Sequence, residues 1–325
     1  MLRPFFNRQK AVLFFFCSLC AFPLFGADYY WIGGSGNWSD ISHWVTTSGG
    51  TVQHNQIPTA NDRVFFDANS FSGPNQTVTV TDQVIFCSDM SWAGVTGNPR
   101  ITAPTGYVLN VYGSLTLSPN MVFDFLGDVA FQSTTPGKTI DLGGHTLRRN
   151  TSFSGSGGGW TLASPFRVDS LLLLEEGDFN SGSQAITCEI LRVDPRTALK
   201  VDLGTSRVTV TGVPYELYPG SYIEEPVADI FLFNLIWNTS MSTLEFTSPR
   251  GSLRLREYGT IAFGTVLFSS PLGKSLLYME NPLVVDARFE KLEMRNDTEL
   301  RGPMKFGELS LGPGKNFTLE GGRTY

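Results

Sequence analysis

Histidine, cysteine and charge are all scarce in this chain, and each shortage removes a class of chemistry. Three histidines and four cysteines in 325 residues leave no CxxC pair and no Cys/His set in the part expected to be mature, so a structural zinc site is not expected. Charged side chains make up 17% of the chain, below the roughly 25% of ordinary soluble domains. Their balance is −6 with a pI near 5.2, which argues against the basic surface of a nucleic-acid groove. A nucleophile elbow, a phosphate-gripping glycine loop and a metal-binding histidine pair are absent too, and no cofactor is expected. What the chain does hold is 34 glycines and 25 phenylalanines. That composition suits many tight turns between short aromatic or β-branched strands, not helices.

The first ten residues carry Arg3, Arg8 and Lys10, and residues 11–25 are apolar. At about fifteen residues, interrupted by Pro23, the run is short for a membrane span of about 20. Together with Gly26-Ala27 it reads as an export signal, residues 1–27, cut near Ala27, although Phe25 is a poor third residue before that cut. An uncleaved anchor is the alternative. Cys17 and Cys20 lack the small preceding residues that lipidation requires. Of the remaining cysteines, Cys87 and Cys188 each sit in an alternating strand and read as small buried hydrophobes. An exported address permits a disulfide, but their separation places them several coils apart.

The stretch 199–210 shows the pattern of the body. Leu199, Val201 and Leu203 alternate with Lys200 and Asp202, a turn follows at Gly204-Thr205-Ser206-Arg207, and Val208-Thr209-Val210 resumes the alternation. A two-residue period marks a strand with one buried face. The same triplet recurs at Phe123-Asp124-Phe125, Leu244-Glu245-Phe246, Leu253-Arg254-Leu255, Ile261-Ala262-Phe263, Met304-Lys305-Phe306 and Leu309-Ser310-Leu311. Strands of three to five residues cannot survive alone, so stacked neighbours must complete their core. A β-sandwich would show longer strands joined by hairpin dipeptides. The expected fold is all-β: a parallel β-helix, or solenoid, with coils of roughly 20–25 residues. Residues 91–325 then supply about ten coils and a rod near 50 Å long at about 4.8 Å per coil, ending in mid-coil.

Residues 28–90 read as a Trp/Gly-rich amino-terminal cap with the first strands. Trp31, Trp38 and Trp44, spaced by glycines and short polar residues, either plug the open end of the solenoid or form a platform for sugar rings. His43 reads as a polar neighbour of Trp44. Asp62 and Asp67, flanking the strand Arg63-Val64-Phe65-Phe66, read as turn caps, with cation binding as the weaker alternative.

Several of these segments carry a family likeness. The order Tyr30-Trp31-Ile32-Gly33-Gly34-Ser35-Gly36-Asn37-Trp38-Ser39, His43-Trp44, Pro58 to Asp67 and Cys87-Ser88-Asp89-Met90-Ser91-Trp92 resembles the opening of large secreted surface proteins of Bacteroidota-type bacteria. The resemblance continues through Tyr112-Gly113-Ser114-Leu115-Thr116-Leu117, Gly158-Gly159-Trp160-Thr161-Leu162 and Gly177-Asp178-Phe179-Asn180, and it covers most of residues 29–212. It implies a right-handed parallel β-helix, adhesion-like modules, and carboxy-terminal sorting to the cell surface. The last residues, Phe317 to Tyr325, depart from that pattern, so a truncated gene or fragment is expected.

Three places break the rhythm. Residues 151–159 are rich in Ser and Gly and read as a flexible turn. Leu171-Leu172-Leu173-Leu174 is continuously apolar, so one side is either buried twice or covered by a neighbouring loop. Residues 213–230 exceed a coil and read as an insertion whose Tyr215, Tyr218 and Tyr222 among prolines are candidate partner contacts, with packing of the loop on the rod as the equal alternative. Trp38 and Trp44 are the candidate glycan contacts. Glu175-Glu176 and Glu224-Glu225 read as solvated edges, His145 as a surface turn residue, and Asp169-Ser170-Leu171 resembles a bacterial O-glycosylation acceptor. The expected protein is an exported, non-catalytic, adhesin-like solenoid of the bacterial cell surface. Its partners would be surface glycans or other surface proteins, with no transmembrane span after signal removal. The alternatives are a carbohydrate-active β-helix enzyme, a lyase or hydrolase with clustered acids and a base, and a glycan-binding module.

Overall fold

The computed structural model describes residues 26–212, 215–216, 224–239, 241–280 and 285–319. Apart from one turn of 3-10 helix at Ile41–His43, the described elements are strands, and nearly all pair in parallel. They wind into a β-solenoid of about eleven turns. At the usual parallel spacing this is a rod of about 50 Å.

Each turn contributes to three faces. The first face begins with Asp28–Trp31 and passes through Arg63–Phe65, Met90–Ser91, Leu115–Thr116 and Lys138–Asp141. The second begins with Val84–Cys87 and continues through Val108–Val111 and Asp128–Phe131. The third runs from Gly36–Asn37 through Thr77–Thr79, Arg100–Ala103 and Val122–Phe125. Leu115 pairs with both Met90 and Ile140, residues one coil of 25 away on either side. Other coils are tighter, as at Trp160 and Phe179, or looser, as at Val201 and Trp237.

Stacking in register turns alternation into columns. On the second face Cys87, Val111, Phe131, Phe153, Leu174, Val193, Ile230, Leu255 and Met279 occupy one inward column. All nine are buried. On the third face Val168, Cys188, Val210, Phe246, Phe268 and Met294 form another. Like residues meet in these columns: Phe131 stacks on Phe153 at 4.8 Å and Phe246 on Phe268 at 4.8 Å. Such offset ring contacts add about 0.5–1.5 kcal/mol each to the area they bury.

Several strands are longer than the sequence pattern predicts. Phe166–Asn180 serves all three faces in turn, and Gly259–Phe268 and Val285–Met294 each span two. Corners here are bends within a strand, marked by register shifts, instead of separate turns. The expected flexible turn at 151–159 is part of the strand Thr151–Leu162. Its glycines are required by close packing: a Cβ on Gly155 would lie 2.0 Å from the Ser133 carbonyl oxygen of the coil before. In the apolar run, Leu172 and Leu174 face the core while Leu171 and Leu173 are half-buried on the outside.

The two ends differ. At the amino end Trp44–Val45 pairs antiparallel with Tyr30 and Trp31, on the opposite edge of the first rung from Arg63–Phe65. That edge is where a preceding coil would lie. Trp31, Trp38 and Trp44 are 0% exposed, with Trp44 edge-on to the other two at 5.0 Å, and Phe66 stacks on Trp92 at 3.7 Å. The aromatic segment therefore closes the end, and the first parallel rung already falls inside the stretch assigned to the cap. At the other end Leu309, Leu311 and Leu319 occupy inward columns yet are 43–53% exposed.

Candidate functional site

Unequal corners shape the surface. Between the second and first faces, the coil at Cys87 and Met90 spends two residues, Ser88 and Asp89, and the next spends Tyr112, Gly113 and Ser114. The Asp89 carboxylate accepts from the Ser114 N–H at 2.7 Å, and it fits because Gly113 has no Cβ, which would sit 2.1 Å from that oxygen. The flanking corners are longer. Residues 132–137 bulge outward around buried Ser133, whose hydroxyl accepts from Thr135 N–H and donates to its carbonyl. On the other side Asp62 holds the loop at residues 59–62 by accepting from the Thr59 N–H at 2.8 Å and its hydroxyl at 2.6 Å.

Between these two rims lies a cleft of about 680 Å³ lined by Asn61, Arg63, Ser88, Tyr112, Thr134 and Lys138, among others. That volume is within the range of ligand sites. Arg63 is paired with Asp28 at 2.7 Å and Lys138 has no ion pair among the described residues. The described lining carries two cations, several hydroxyls and no carboxylate. Beyond the 132–137 rim a smaller cleft of about 190 Å³ holds Asp178, Lys200, Asp202 and Asn180 above Trp160. Asp178 and Lys200 stand opposite each other in register on neighbouring rungs. The Cα of Asp202, two residues further along, lies about 8 Å from that of Asp178 by strand geometry. The buried Trp160 Nε1–H has no hydrogen-bond partner among the described residues.

A third polar group lies on the second face. Asp229, 4% exposed, accepts from Arg254 at 2.5 and 3.0 Å, and Arg256 joins Asp229 and Glu280 while lying 4.4 Å over the Phe231 ring. Burial raises the Tyr278 hydroxyl pKa, with Arg254 pulling it back. Paired and hydrogen-bonded charges of this kind tie adjacent coils together.

The residues singled out from sequence fall in different places. Trp38 and Trp44 are buried against each other and Phe66, so neither ring offers a face to a sugar. Tyr215–Glu216 and Glu224–Glu225 form a two-stranded antiparallel pair, while Tyr218 and Tyr222 lie outside the described residues. The expected insertion ends earlier than residue 230, because Ala228–Phe231 is a rung of the second face. Glu175 is not a solvated edge: it is 7% exposed, it pairs with Arg196, and burial raises its pKa despite that charge. His43 stacks flat on Trp31 at 4.4 Å and meets the Ile32 carbonyl at 2.6 Å, while His145 meets the Ser118 carbonyl at 2.8 Å. Asp62 and Asp67 cap turns, Asp67 accepting from Asn69 N–H at 2.8 Å. Ser170 donates to Asn150, and Asp169 pairs with Arg148 and Arg167. Cys87 and Cys188 are free, buried thiols in columns of different faces. Neither cleft was anticipated; the signal was the uneven spacing between successive triplets.

No family model matches the chain, and neither a curated protein nor a solved structure matches it.

Proposed function

We propose that this protein is an exported, adhesin-like structural solenoid displayed at a bacterial cell surface. One observation carries the reading: a continuous stack of parallel rungs with aromatic packing at its amino end, which presents three extended faces. Solenoids of this kind use extended surfaces for contact. The basic and apolar leader and the likeness to secreted surface proteins support the address. The 680 Å³ cleft, with Lys138, Arg63 and hydroxyls in its lining, suits an acidic or hydroxyl-rich glycan better than a basic one. Expression of the tagged full chain in a Gram-negative host, followed by protease shaving of intact cells, checks the address. Retention inside the cell sinks it. Binding to an acidic-glycan panel should weaken at least tenfold in Lys138→Glu.

A second reading has its own observation. Asp178, Lys200 and Asp202 line the smaller cleft together, two carboxylates and an amine on neighbouring rungs, the residue types that acid–base chemistry on a glycan needs. Oligosaccharide release from a polysaccharide panel, abolished in Asp178→Asn or Asp202→Asn, would replace the non-catalytic assignment with a carbohydrate-active one.

A further inference from the structure

Asp62 is a carboxylate 6% exposed that no cation among the described residues accompanies. Its described partners are the Thr59 N–H and hydroxyl and, at 2.7 Å, the backbone nitrogen of Ala27. A buried carboxylate without a counter-charge is costly unless its hydrogen bonds are complete. The neighbouring guanidinium does not serve, because Arg63 is committed to Asp28 through both Nε at 2.7 Å and Nη2 at 2.9 Å. Ala27 is held from its other side as well, since its carbonyl accepts from the Arg63 N–H at 2.9 Å.

Ala27 stands where the leader is expected to end. We infer that the export signal is cut between Gly26 and Ala27, and that the freed α-ammonium of Ala27 becomes the counter-cation of Asp62. This rests on the exported address proposed above. Hydrolysis of the Gly26–Ala27 peptide bond adds one water, leaving a carboxylate on the leader and an ammonium on Ala27. At neutral pH most such α-amines are protonated, so one neutral N–H donor becomes a charged group with three. A cut one residue later, after Ala27, would remove the nitrogen that Asp62 holds and the carbonyl that Arg63 N–H uses. Gly26 supplies the small residue that leader cleavage needs immediately before the cut. Removing the leader would also take Gly26 out of the lining of the larger cleft and leave the new amino terminus near Asn61 at its rim.

Two measurements test this. In the first, the full chain is expressed with its leader in a Gram-negative host, and the exported material is read by amino-terminal sequencing and intact mass. A chain beginning at Ala27 is expected; one that begins at Asp28 or elsewhere overturns the cut while leaving the address intact. A full-length chain retained in the cytoplasm sinks the address and the cut together. In the second, chains released from a fusion with Ala27 free or with Gly26 retained are melted at pH 7. The free Ala27 form should melt a few degrees higher, and the difference should vanish in Asp62→Asn. Equal melting of the two forms in the wild type rules out the ammonium–carboxylate pair.

Discussion

Single residues in the columns have no room to change character. Val201 and Leu255 are 0% exposed, each with a rung above and below. Val201→Asp or Leu255→Asp should destabilise by several kcal/mol, because an unpaired charge enters a dry interior; urea unfolding monitored by circular dichroism measures it. The two thiols make a second case at this scale. Burial pushes the Cys188 thiol up to about 12 and also raises Cys87, where the Asp89 charge adds to the effect. Both should therefore resist iodoacetamide at pH 8 in the folded protein and react once it is unfolded. A native adduct seen by mass spectrometry would show that the rungs open locally.

Elements matter through what they stack on. Trp44 is the ring that Tyr29, Trp31, Trp38 and Phe66 all meet, and its Nε1–H donates to the Trp38 carbonyl at 2.8 Å. Trp44→Ala should cost about 3–5 kcal/mol, and hydrogen exchange should speed up first in Asp28–Trp31 and Arg63–Phe65. The last rungs respond to acid instead. Arg301 and then Lys274 hold the Glu299 carboxyl below its usual range, and the Asn316 N–H does the same for Asp297. A carboxyl whose pKa is depressed by folding contributes stability above its unfolded pKa and loses it as pH falls through the folded one. Acidification from about pH 4.5 downward should thus loosen Asp297–Arg301 and Phe317–Leu319. Glu299→Gln should flatten that dependence in pH-resolved hydrogen exchange. Glu175 has the opposite slope, since its raised pKa makes ionisation oppose folding.

The whole molecule should behave as a one-dimensional stack. Its amino end is closed, whereas Leu309, Leu311 and Leu319 leave core columns exposed at the far end of the described residues. Opening is then expected to start there and move inward, because each rung is held mainly by its neighbours. Exchange protection should rise from Met304–Leu311 toward the central strands Thr151–Leu162 and Phe166–Asn180. Uniform protection along the rod would contradict nearest-neighbour stability.

Alternation alone determined the strands: Leu199–Asp202, Arg207–Val210 and Val122–Phe125 are where their apolar triplets stand, since side chains on a strand must alternate in and out. Short strands without hairpin turns left stacking as the way to bury them, so the solenoid was legible before any coordinates. Spacing along the chain carries no information about which corner meets which. Only the wound structure placed Asp178 beside Lys200, drew Arg254 onto Asp229, let Phe166–Asn180 bend through two corners unbroken, and set the nitrogen of Ala27 against Asp62, 35 residues away. Each of these depends on register between coils, which coil length and corner geometry decide together and no single segment contains.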